Sequence, residues 1–427
     1  MLKRLYSTTT RSSLSSGILA QTLYSPTVAS LTSFLTNSPR IPPSTSRSGS
    51  TSTSTLYLLS TSLESLPTLI PILQSHLISS DASYRSESIG SFSTCPPGCE
   101  PTLSILTVPT LKVFRTSLSG RPPAQVGRYQ RPFNPSETGE GKKGREEDKK
   151  GSEIGEGSDF GFGKGNNEGW DGFWRAERGI ERMEELEGID AKGFLLLCDG
   201  TPRPVLDSIS EMYPGMSSLG LITAPTPFLT GRPHTLIHNK DVFSTGTLGL
   251  ALPFPLSTDT SYGLEQLDEP CSITSAQGNM LLKLSTTNPN PTQILISAIQ
   301  RRTGGTLSKE EDFFLALLSP DDSKIQRAVK ILSGDPSRGA ISLEMEEPLL
   351  VGQRIQFMHR PQSTGDLTPK QGQITFAALR KSDNLDSIPL QGTPRVQDGF
   401  LACSEDGFIN NSSICTVPGA TCSWTFQ

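Results

Sequence analysis

The residues with the most chemical potential in this sequence sit in a few short stretches. Gly334-Asp335-Pro336-Ser337-Arg338-Gly339 crowds a carboxylate, a hydroxyl and a guanidinium into one turn between apolar runs. Arg338 offers five donors in a fixed fork suited to a carboxylate or a phosphate. Asp335 can hold an amino group, and Ser337 with backbone N–H groups can complete a polar cradle. The same residues also build an ordinary tight turn, in which Asp335 and Pro336 shape the backbone and Arg338 pairs with a surface acid. Ser217 and Ser218 stand in Gly215-Met216-Ser217-Ser218-Leu219-Gly220, one residue too long for a nucleophile elbow and without the strand that must precede it. His234 and His238 are four apart, and so are Cys95 and Cys99 around a Pro-Pro-Gly turn. Each pair supplies two ligands where a structural zinc site needs four. No acid, base and nucleophile assemble, so no catalytic residue, metal site or cofactor is assigned.

The whole chain sets bounds on partners. A net charge of -5 provides no basic face for nucleic acid. No apolar run approaches the roughly 18 residues that span a bilayer. Seven scattered cysteines, an odd number, fit reduced thiols in a non-secreted compartment better than a disulfide framework. Residues 1–54 carry Lys3, Arg4, Arg11, Arg40 and Arg47 but no acid, the first being Glu64, and they are loaded with Ser and Thr. That composition predicts a disordered mitochondrial targeting leader over 1–54, with the matrix as destination and the cytoplasm as the alternative. Phe133 to Asp171, glycine and mixed charge with almost no aliphatic residue, predicts a disordered surface insertion.

The elements around these groups are legible from periodicity. Leu56 to Leu59 predicts a strand, and Ser62 to Leu77 a helix interrupted near Pro71. Ser88 to Ser93 and Leu103 to Phe114 follow as strands. Phe173 to Leu186 predicts a short docking helix. Phe194 to Cys198 is an apolar run, Val205 to Met212 has helical spacing and Ser217 to Thr223 is a second strand, which together make a β-α-β unit. Strands are expected at Thr235 to Ile237 and Val242 to Leu252, around a turn at Asn239-Lys240-Asp241. A hairpin at 271–284, a helix from Pro291 to Arg302, strands at Phe313 to Leu318 and Ile325 to Leu332, and strands at Arg354 to His359 and Gln373 to Leu379 complete the pattern. From Gly399 onward short apolar runs alternate with turns, as β structure does.

The order of GFLLLCDG…YPGMSSLGLIT, VFSTGTLGLALP, EPCSITSAQGNMLLKL, SGDPSRGAISLE and VGQRIQFMHR resembles the FIST family, named for F-box and intracellular signal transduction proteins. The likeness runs from about Thr55 to Phe426, outside the insertion. The resemblance implies an α+β fold, mixed sheets with packed helices, in two similar-sized α/β halves, 55–260 and 261–427. It also implies a sensory domain for a small polar metabolite such as an amino acid. The ligand residues expected on this reading are Gly334, Asp335, Ser337, Arg338 and Gly339. A basic leader stands where an F-box would precede the domain in ubiquitin-ligase adaptors, so a protein-interaction or scaffold role is the alternative expectation.

Overall fold

The computed structural model describes residues 17–37, 52–63, 66–77, 87–96, 99–120, 181–303, 312–321, 324–345, 348–361, 367–380 and 392–426. The expected insertion at 133–171, and Phe173 to Ile180 of the expected docking helix, lie outside them. Of that helix, Met183 and Leu186 are buried as expected, but Glu184–Leu186 is only a 3-10 turn. Residues 1–120 and 182–427 form one unit and Arg121–Glu181 another.

The fold is α+β, and one four-strand pattern recurs three times in it. The first repeat contains β1 (Leu19–Tyr24), α1 (Val28–Asn37), β2 (Ser52–Ser60), α2 (Leu66–Leu77), β3 (Ser88–Ser93) and β4 (Thr102–Thr110). The second contains β5 (Lys112–Thr116), β6 (Gly193–Cys198), α3 (Arg203–Met212), β7 (Ser217–Ile222), α4 (Pro227–Thr230), β8 (Leu236–His238), β9 (Asp241–Phe243) and β10 (Thr247–Leu252). The third is β11 (Thr258–Ser261), β19 (Gln373–Ala378), β20 (Arg395–Asp398), β21 (Phe400–Ser404), β22 (Phe408–Asn410), β23 (Ser413–Cys415) and β24 (Thr421–Thr425). The sheet orders are β1-β4-β2-β3, β5-β10-β6-β7 and β11-β24-β19-β21. In each, the second and third strands are parallel, and the last returns antiparallel between the first and second.

The chain from β11 to β19 passes through a separate module. It comprises β12 (Glu265–Gln266), β13 (Cys271–Gln277), β14 (Met280–Leu284), α5 (Pro291–Thr303), β15 (Phe313–Leu318), β16 (Ile325–Gly334), β17 (Ile341–Leu343) and β18 (Arg354–His359). These strands run β18-β13-β14-β17-β16-β15, and β15 pairs back onto β18, so the sheet closes into a six-stranded antiparallel barrel. Closure leaves no long edge exposed. Leu281, Leu315, Val329 and Phe357 fill its core with Leu295 and Ile299 of α5. The alternate residues Phe314, Ala316 and Met358 face outward and join the core shared by the three sheets.

That shared core follows from strand alternation. Leu56, Leu58 and Leu106 of the first sheet, Leu195, Leu197 and Leu250 of the second, and Ile374, Phe376 and Phe400 of the third belong to one buried cluster. Their neighbours point the other way. Tyr57, Leu59 and Phe92 pack under α1 and α2, while Phe194, Leu196 and Ile222 pack under α3. Tyr57 lies across Gly90, where an added Cβ would sit 2.2 Å from the ring. β6, buried along its whole length, and β15, buried from its second residue on, read as continuous apolar runs for this reason.

Four expectations change. Residues 1–54 are not wholly a leader: β1, α1 and the start of β2 are folded, and β1 lies between β4 and β20. Thr22 and Ser54 there are buried, and Thr22 Oγ1 donates to the Gly399 carbonyl at 2.9 Å. The expected strand 103–114 is two strands in different sheets, with Leu111 at the crossing. Its N–H donates to Ala251, and Pro109 sits past the last β1 pair, Leu19 with Thr107, where no N–H is needed. The expected strand 242–252 likewise divides into β9 and β10 at Gly246, whose φ of +95° interrupts extended backbone. The boundary at residue 260 does not separate the sheets, because β20 pairs with β1 and β22 with β7.

Two substitutions on adjacent residues of β2 test this layering. Leu58→Ala should cost about 2–5 kcal/mol, the range for a large-to-small change in a core. Tyr57→Phe should be neutral or stabilising, because the buried Tyr57 hydroxyl has no hydrogen-bond partner. Urea unfolding of both variants checks the pair.

Candidate functional site

The carboxyl ends of parallel strands are where α/β sheets hold ligands, and the three repeats bring three such ends together. Two backbone bonds repeat the same join. Thr94 N–H, just after β3, donates to the Cys403 carbonyl at 2.8 Å, and Ala224 N–H, just after β7, donates to Phe92 at 2.9 Å. Aligned on these bonds, Ser93, Thr223 and Ser404 are equivalent. Each follows an outward residue (Phe92, Ile222, Cys403), so each points inward, and all three are buried. The same alignment equates Ser60, Asp199 and Ala378 at the ends of the neighbouring strands. A polar rim, largely of small hydroxyls, therefore caps one end of the shared apolar core.

The second repeat carries the rim's most reactive side chain. Asp199 is committed to structure: one oxygen accepts from Gly246 N–H at 2.7 Å, the other from Thr201 N–H at 3.0 Å. His234 is not committed in the same way. Its Nδ1 lies 3.0 Å from the Thr223 carbonyl oxygen, which can only accept, so Nδ1 carries the hydrogen. In the neutral ring Nε2 is then the lone-pair acceptor, and it stands over Gly200, where a Cβ would lie 3.3 Å away. His234 is half-buried and Gly200 exposed. The Thr235 hydroxyl bonds those of Thr226 and Thr230, each at 2.7 Å, and these bonds stiffen the loop that delivers it.

The first repeat ends in thiols. Burial pushes the Cys95 thiol up, against hydrogen bonds from Ser62 and Ser60. Burial also pushes Cys403 far up, with the Cys95 and Cys99 thiols adding to the effect. Beyond Cys99, Glu100 forms a clamp with the Arg395 guanidinium and the Ser25 hydroxyl, and Arg395 lies 4.2 Å over the Tyr24 ring. The Arg395 hydrogen bond holds the Glu100 carboxyl below its usual range.

The barrel turn is assembled as the sequence suggested, but much of its polarity is turned inward. Asp335 Oδ1 accepts from Ser337 N–H (2.9 Å), Ser337 Oγ (2.6 Å) and Arg338 N–H (3.2 Å), and these bonds keep its carboxyl below the usual range. Gly334 ends β16 against Thr292, and Gly339, at φ +77°, lies against Asn290. The Arg338 side chain is 86% exposed, with Nε 3.8 Å from Asp335 Oδ2. Asp335, Ser337, Arg338, Gly334 and Gly339 thus share one hairpin loop, and Arg338 alone directs its polar group outward.

The remaining candidates have structural tasks. Ser217 Oγ accepts from Leu256 N–H at 2.7 Å and Ser218 Oγ donates to Asn411 at 2.7 Å, which occupies both hydroxyls of the apparent elbow. His238, on β8, faces Glu87 at 3.9 Å. Among the described residues no three His, Cys, Asp or Glu side chains are grouped to hold a metal ion.

A repeat signal was present in the chain. Ser88-Ile-Gly-Ser-Phe-Ser-Thr matches Ser218-Leu-Gly-Leu-Ile-Thr-Ala, and Leu236-Ile-His-Asn matches Phe408-Ile-Asn-Asn. The matched asparagines, Asn239 (φ 54°) and Asn411 (φ 55°), occupy the left-handed turns of two hairpins. Asn239 Oδ1 accepts from Ser88 N–H at 2.9 Å and Asn411 Oδ1 from Ser218 N–H at 3.3 Å. In return, Asn239 N–H donates to Ser88 at 2.8 Å and Asn411 N–H to Ser218 at 2.7 Å. No protein-family model matches the chain, and no curated protein matches it either.

The Glu100 clamp has a pH signature. A depressed carboxyl contributes stability above the unfolded carboxyl range, about 4.3, and loses it as pH falls through the lower folded value. Glu100→Gln should lower stability at pH 7 by roughly 0.2–1 kcal/mol, the scale of a partly exposed pair. Thermal unfolding of the two proteins should converge as the pH drops below about 4.

Proposed function

We propose that the protein binds a small polar metabolite, such as an amino acid, at the polar rim beside His234. The observation that carries this reading is the fixed His234 tautomer, which presents an uncommitted Nε2 next to an exposed glycine at the carboxyl end of a parallel strand pair. The resemblance to the FIST family, with its sensory small-ligand role, supports the same reading. Arg338 on the barrel turn is the second place where such a ligand can be met, through its exposed fork. A thermal-shift screen of amino acids and related metabolites, followed by calorimetric titration, tests this. His234→Ala should weaken binding by roughly 10-fold, the worth of one hydrogen bond to a charged group, and Arg338→Ala should leave it unchanged. Loss of binding in Arg338→Ala alone moves the site to the turn. A panel with no binder sinks the reading.

A protein-contact role is the second reading, and one side chain favours it. Phe228 on α4 is 100% exposed, with Leu229 beside it at 49%, and exposed aromatics of this kind anchor interfaces. For location, the basic, acid-poor start supports mitochondrial import. A leader that can be removed without dismantling the first sheet must end before Gly17. A reporter behind residues 1–16 should therefore enter mitochondria, and changing Lys3, Arg4 and Arg11 to Glu should leave it in the cytosol.

A further inference from the structure

We infer that Cys95 and Cys99 are a thiol–disulfide pair, with Cys99 as the entry thiol and Cys95 as the resolving thiol. All seven cysteines are reduced in the structure. Cys95 Sγ lies 3.4 Å from the Cys99 carbonyl oxygen, and Cys99 N–H donates to the Pro96 carbonyl at 3.1 Å, so the backbone of the second cysteine lies against the thiol of the first. Cys99 is half-buried and open to a small reagent, whereas Cys95 is buried behind it. Cys99 is the most exposed of the three neighbouring thiols and so meets an oxidant first, while burial raises the thiols of Cys95 and the nearby Cys403.

The co-reactant is a low-molecular-weight disulfide such as glutathione disulfide. The Cys99 thiolate attacks one of its sulfurs, forming a mixed disulfide and expelling one glutathione thiolate, which takes up a proton. Cys95, losing its proton to solvent, then attacks Cys99 Sγ, and the second glutathione leaves as a thiol. Two protein thiols are oxidised to one disulfide and one glutathione disulfide is reduced to two thiols. The new ring lies directly before Glu100, so oxidation stiffens the connection that clamps Ser25 and Arg395.

The test is peptide mapping of the full chain after equilibration in glutathione buffers of graded oxidation. The tryptic peptide from Ser86 to Lys112 contains both cysteines, and Cys403 falls in the peptide from Val396 to Gln427. Oxidation should remove two hydrogens from the first peptide without linking it to the second. Cys95→Ser should accumulate glutathione on Cys99, and Cys99→Ser should take up none in this peptide. The oxidised protein should melt about 2–6 °C higher than the reduced protein, the shift expected from closing a short loop in a chain of this size. A link to the Cys403 peptide, a first peptide that stays reduced in the most oxidising buffer, or glutathione on Cys95 in Cys99→Ser overturns the assignment.

Discussion

Three sheets can share one apolar core only if the strand edges that meet there find partners for their N–H and C=O groups. An unpaired backbone group buried away from water costs about as much as a lost hydrogen bond. The free edge of β21 poses the problem in its sharpest form, since all five of its residues are buried. Sheet-to-sheet hydrogen bonds resolve it. Thr94 N–H reaches Cys403, the Ser104 hydroxyl reaches the Leu401 carbonyl, and Thr22 Oγ1 accepts from Leu401 N–H while donating to Gly399. The buried hydroxyls of Thr22 and Ser104 serve this need.

The same constraint accounts for the hairpins. After β7 and after β21 the chain makes a short excursion whose first strand pairs with the preceding repeat, β8 with β3 and β22 with β7. In both, a left-handed asparagine closes the turn and bonds the serine at or near the start of the covered strand. The first repeat has no such hairpin among its described residues. Its connection is the cysteine-bearing segment, held by Thr94 and by the Glu100 clamp. A thiol pair therefore occupies a position that the other two repeats fill with β structure.

The barrel stands apart in topology while remaining joined by packing. It is entered after β11 and left before β19, so it is an insertion in the third repeat, and its β15 and β18 wall completes the shared core. This arrangement separates two kinds of polar group. The barrel turn spends Asp335 and Ser337 on its own backbone and exposes Arg338. The rim buries its hydroxyls and leaves His234 Nε2 open. A rigid scaffold with one uncommitted acceptor is a better start for recognition than a flexible exposed cation, because less ordering entropy opposes binding.

Local pattern placed many of the strands and helices. The apolar runs at 194–198 and 313–318, the helical spacing at 205–212, the hairpin turn at Asn239 and the Gly334 to Gly339 turn all stand where residue types placed them. These signals are short-range: a turn needs its own few residues, and a helix needs its own face. Sheet membership was a tertiary matter. Leu111 parts two strands that read as one because its neighbours choose partners in different sheets, and β1 reads as a hydroxyl-rich leader until β4 and β20 close on it. The rim shows the same division. Ser93, Thr223 and Ser404 are unremarkable serines and threonines in the sequence, and His234 resembles half of an incomplete metal pair. They share a place only because strands hundreds of residues apart pack around one core, and periodicity carries no information about contacts at that range.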